Sequence, residues 1–118
     1  MRLKLLFLLL ISIPMFGMER ISGWCENGNQ TVSVPASAAS TTKVQRSYPG
    51  CTVTVYLTGT VTLATLYSDN NGTAKANPFT ASTTNGQWFY YAVDGRYDNT
   101  FSGAGISAPF TIGDNVIF

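Results

Sequence analysis

Few residues in this chain are of a type and spacing that bear on chemistry. They are Cys25 and Cys51, the carboxylates Asp69, Asp94 and Asp98, the amines Lys43 and Lys75, and the aromatic run Trp88-Phe89-Tyr90-Tyr91. Histidine is absent from all 118 residues, which removes imidazole triads and imidazole metal ligands. The cysteines lack a CxxC spacing and companion ligands, so thiol redox or metal chemistry has no support. In an exported chain only one pairing is open to them, Cys25 with Cys51.

Asp69-Asn70-Asn71-Gly72 gathers oxygen ligands, but it lacks the alternating spacing and terminal bidentate glutamate of an EF-hand and reads as a turn. Asp94 and Asp98 resemble a glycosidase carboxylate pair in type alone, and beside the tight Asp94-Gly95 turn they read as solvated turn residues. Lys43 or Lys75 with Asn99 would suit an isopeptide bond only beside a buried acid, and Glu26 is the sole glutamate after residue 23. No catalytic residue, metal or cofactor is expected. Asn29-Gln-Thr31 and Asn71-Gly-Thr73 match the glycosylation pattern, which recurs by chance in a chain this rich in Thr and Asn.

The aromatic run is the richest feature. Flat rings with polar edges bury the apolar faces of sugars, and they also anchor protein interfaces. Strand alternation sends Trp88 and Tyr90 inward, with Tyr97, Phe101, Val53, Val55 and Leu57 as the other core residues. Phe89 and Tyr91 are left outside, and with Trp24 they form the candidate interaction surface or sugar platform.

These residues must be positioned by strands. After residue 23 no stretch keeps a 3.6-residue apolar period, and 36–44 reads as a loop or edge strand. Period-two alternation recurs over 51–57, 61–67, 87–93 and 96–102, with shorter segments at 78–81, 110–112 and 116–118. Asn71-Gly72, Asn85-Gly86 and Asp94-Gly95 punctuate them as turns. The expectation is an all-β, antiparallel sandwich of about seven short strands, prealbumin-like or Ig-like.

Residues 1–23 differ from the rest. Arg2 and Lys4 precede an apolar run ended by Pro14, the layout of a secretory signal peptide with an apolar helix. The apolar run is shorter than the roughly 20 residues that span a bilayer, so no stable membrane span is expected. Cleavage falls near Gly17 or Gly23. Removal of residues 1–23 leaves a net charge of −1, and even the whole chain carries only +1, which provides no electrostatic footprint for nucleic acid. Charged residues make up 11 % of the chain, against roughly 25 % in an average soluble domain. Solubility is therefore left to Thr, Ser and Asn, and the sheet edges lack lysine protection, which favours a partner or edge-strand oligomers.

Four segments carry a family resemblance: Thr65-Leu-Tyr-Ser-Asp-Asn-Asn-Gly-Thr73, Ala76-Asn-Pro-Phe-Thr80, Asn85-Gly-Gln-Trp-Phe-Tyr90 and Gly95-Arg-Tyr-Asp-Asn-Thr-Phe-Ser-Gly103. Together they resemble small transthyretin-like and carboxypeptidase-regulatory-like β-sandwich modules, in the variants found in bacterial and bacteriophage surface or tail proteins. The resemblance implies a non-catalytic structural or interaction module, secreted or virion-associated, with a protein partner or a cell-surface glycan. Under it, residues 51–118 form the sandwich core and 24–50 an added extension tied on by the disulfide. Asn99 stands where such modules usually carry valine, so it needs partners or an edge position.

Overall fold

Alternating β-branched and aromatic residues turn most of this chain into strands. The computed structural model describes residues 18–33 and 41–118, and among these every regular element is a strand. The expected signal-peptide helix lies outside the described residues. In chain order the strands are β1 (Met18–Trp24), β2 (Glu26–Ser33), β3 (Thr41–Ser47), β4 (Thr52–Leu57), β5 (Leu66–Tyr67), β6 (Ala74–Lys75), β7 (Phe79–Thr80), β8 (Gln87–Val93), β9 (Gly95–Ser102) and β10 (Phe110–Ile117). They form a first sheet ordered β1-β8-β5-β6, a second ordered β10-β9-β4-β7, and a ribbon of β2 with β3, all antiparallel.

The inner faces of the two larger sheets share one core. Val53, Val55, Trp88, Tyr90, Tyr97 and Phe101 are buried as the alternation predicts. Trp88 and Tyr90 from the first sheet meet Phe101 and Tyr97 from the second, with ring centroids 5.7 and 6.4 Å apart. Leu57 departs from the expectation and is 42 % exposed, because it ends β4 where the chain turns through Thr58 and Gly59. Asn99 is buried on β9, between β4 and β10, so it is not at an edge. Its partner is a side chain: the Tyr90 hydroxyl donates to Asn99 Oδ1 at 2.8 Å. Burial holds that hydroxyl well above its ordinary pKa. Trp88 Nε1 is the only buried side-chain nitrogen or oxygen without a partner among the described residues.

The stretch 61–67 is not one strand. Thr62 O accepts from Leu57 N and Val55 O accepts from Ala64 N, on the second sheet, whereas Leu66–Tyr67 pairs within the first. The backbone changes sheets between Ala64 and Leu66, and Val61, 89 % exposed, lies before this in the turn that follows β4. The segments 110–112 and 116–118 fall largely within a single strand, β10, broken by a bulge between Ile112 and Asn115. β1 occupies the end of the stretch assigned by sequence to the leader, and all seven of its residues pair with β8.

Cys25 and Cys51 form a disulfide, and both are fully buried. It closes the ribbon at its base, where Cys25 N donates to Gly86 O and Tyr48 N to Cys25 O, each at 2.8 Å. On the chain-entropy model, a closed loop spanning 26 residues stabilises the fold by about 3.5 kcal/mol. The Cys25→Ser, Cys51→Ser variant is expected to lose about that much in denaturant unfolding, and reduction of the unaltered protein should give the same shift.

Asn77 closes a second gap. Its Nδ2 donates to Val55 O and Ala64 O, both at 2.8 Å, and its Oδ1 accepts from Val55 N at 3.1 Å. One side chain thus fills the gap alongside β4 between β7, which pairs with Thr52 and Val53, and the 62–64 segment, which bonds Val55 O and Leu57 N. Asn77→Ala leaves Val55 N and Ala64 O without this partner, while Val55 O keeps its bond from Ala64 N, and a destabilisation of about 2 kcal/mol is expected in urea titration.

Candidate functional site: an aromatic sheet face

β8 alternates between two surroundings. Trp88, Tyr90 and Ala92 enter the core, so Gln87, Phe89, Tyr91 and Val93 face away from it. Register then determines their neighbours. Arg20 lies opposite Tyr91, Ser22 opposite Phe89 and Trp24 opposite Gln87, while Tyr67 pairs with Tyr91 from the other side. The three residues singled out by sequence, Trp24, Phe89 and Tyr91, therefore share one face. Trp24 is 52 % exposed, and Phe89, Tyr91 and Tyr67 are half-buried. From Trp24 to Tyr91 the register advances four residues, about 14 Å along the strands.

Two cations order this face. The Phe89 and Tyr91 rings meet edge to face at 6.4 Å, and the Arg20 guanidinium lies 4.8 Å from the Phe89 centroid. Lys75 Nζ sits 3.9 Å from Phe89 and 4.3 Å from Phe79, and it donates to Phe89 O at 2.7 Å. That carbonyl belongs to a part of β8 alongside which β5 is too short to pair. Burial, and then the nearby Arg20 charge, lower the Lys75 pKa. Arg20 and Tyr67 escape sequence reading, because Arg20 follows an apolar leader run and Tyr67 sits in a run that alternates as one strand.

The remaining sequence candidates have structural tasks. Asp69 Oδ1 accepts from Asn71 N at 2.9 Å and Thr73 N at 3.2 Å, which makes the segment a turn. These bonds, Thr73 foremost, hold its carboxyl below the ordinary range. Asp98 accepts from Asp114 N at 2.8 Å, Gly59 N at 3.0 Å and Thr58 Oγ1 at 3.1 Å, so it clamps the β4 turn to the β10 bulge. Asp94 is exposed in the turn that carries the chain from β8 in the first sheet to β9 in the second, so β8 and β9 do not form the expected hairpin. Lys75 and Asn99 are engaged separately, by Phe89 O and by the Tyr90 hydroxyl. Among the described residues no three His, Cys, Asp or Glu side chains converge as a metal site, and no cavity opens.

Comparison with protein-family models, curated proteins and solved structures gives no match.

Asp98 sets an acid dependence. The backbone N–H of Asp114, then that of Gly59, lower its pKa in the folded state. Its stabilisation is complete above the unfolded value near about 3.9 and is lost as pH falls through the folded value. Melting temperature should fall as pH drops from about 5 to about 2. Asp98→Asn should lower the melting temperature at neutral pH and flatten that acid limb, as scanning calorimetry across pH would read.

Proposed function

We propose that this chain is a secreted, non-catalytic β-sandwich of transthyretin-like or Ig-like plan. In this reading it serves as an interaction module of a surface or phage tail-like assembly and binds a protein partner through the outer face of β1, β8 and β5. The observation that carries the reading is the clustering of Trp24, Phe89, Tyr91, Tyr67 and Arg20 on one sheet face. Trp, Tyr and Arg dominate the binding energy of protein interfaces, and Phe is enriched there as well. Export is supported by the leader-like sequence of residues 1–17 and by the buried disulfide, which suits an oxidising compartment. Among the described residues no helix is long and apolar enough to cross a membrane.

The sheet edges favour the same reading. β10 is an edge strand interrupted by its bulge, with Asp114 at φ 57°. β1 is an edge of seven residues without a bulge. Lys75 is on the edge strand β6, but its ammonium is spent on Phe89 rather than on guarding the edge. Edge pairing through β1 is thus a route to oligomers.

A carbohydrate ligand is the second reading, favoured by the shared face of Trp24, Phe89 and Tyr91. The discriminating experiment uses the exported protein in sedimentation, cell-surface binding and a glycan array. A protein-binding face predicts self-association or saturable surface binding that Tyr91→Ala weakens by about 2 kcal/mol, roughly thirtyfold, with no glycan signal. A glycan signal abolished by Tyr91→Ala supports the sugar reading instead. A strict monomer that binds neither cells nor glycans overturns both.

A further inference from the structure

We infer that the export leader ends at Gly17, so that the mature chain begins with Met18, the first residue of β1; this inference rests on the export reading above. Sequence offers two small residues for the last position before cleavage, Gly17 and Gly23. The fold treats them differently. Cleavage after Gly23 would remove six of the seven residues of β1, whose register with β8 runs unbroken from Met18↔Val93 to Trp24↔Gln87. The backbone groups of β8 that bond β1 would then lose their partners, on a strand whose other side is already short of them.

Side chains separate the two positions just as clearly. Ile21 packs against the core from β1. Gly23 lies flat beneath the buried Trp88 ring, where an added Cβ would stand 2.9 Å from one ring carbon and 3.3 Å from the next. The glycine at 23 is therefore a packing requirement of the folded protein, which accounts for its small size without a peptidase. Arg20 also belongs to the folded protein, since its guanidinium covers Phe89. Gly17 precedes β1 directly, so cleavage there leaves every residue of β1 in the mature chain.

The test is N-terminal sequencing and intact mass of the full gene product recovered after export from a bacterial host. A mature chain starting at Met18 is expected, and one starting at Trp24 overturns the inference while leaving export intact. Retention of the whole chain from Met1 inside the cell overturns the export reading and this inference with it. Two variants sharpen the test, and neither readout depends on folding. Gly17→Arg should leave uncleaved precursor, whereas Gly23→Ala should still yield Met18 as the first residue. Normal processing of Gly17→Arg, or loss of processing in Gly23→Ala, overturns the inference.

Discussion

Every buried backbone N–H and C=O must find a partner, and in this protein the strands alone cannot provide enough of them. β5 and β7 are two residues each, yet they flank β8 and β4, the strands that carry much of the core, and β6 beyond β5 is equally short. Side chains fill the gaps. Asn77 hydrogen-bonds Val55 as a neighbouring strand would, Lys75 caps Phe89 O, and Asp98 gathers the amides of Gly59 and Asp114. With only 11 % charged residues, the chain uses Lys75 and Asp98 as hydrogen-bond partners of its own backbone.

The same economy shapes the core and the outer face. Tyr90 stacks beside Trp88 at 6.0 Å and spends its hydroxyl on Asn99, so an amide enters the sheet interface with a partner. Tyr97 donates to Val93 O at 2.7 Å across the β8–β9 turn. With these rings fixed inward, alternation leaves Phe89 and Tyr91 outward on a rigid strand rather than on a loop. Rings held this way have little conformational freedom left to lose in any contact.

The legible parts of the sequence were those where local pattern and tertiary demand agree. β4, β8 and β9 alternate cleanly, and six of the seven expected core side chains are buried. Asp94-Gly95 does turn the chain, but the hairpin that an Asp-Gly turn suggests does not form, because β8 and β9 pair in different sheets and the turn carries the chain from one to the other. Phe89 and Tyr91 followed from the same parity, whereas the place of Trp24 beside them depends on β1. β1 was hidden because Ser22 and Gly23 are poor strand formers and an apolar leader run precedes it. The stretch 61–67 misled because alternation describes side chains, whereas its backbone passes from one sheet to the other. Asn77, Asp98 and Asn99 had no local signal, since their partners lie 9 to 40 residues away in sequence.

The disulfide has a mechanical side. The β2–β3 ribbon leaves the body between Cys25 and Cys51, and each cysteine adjoins a strand of a different sheet, Cys25 following β1 and Cys51 preceding β4. A pull on the ribbon therefore converges on one covalent link and divides between the two sheets. Neither β1 nor β4 bears the load alone, and a single backbone break within the ribbon leaves both halves attached.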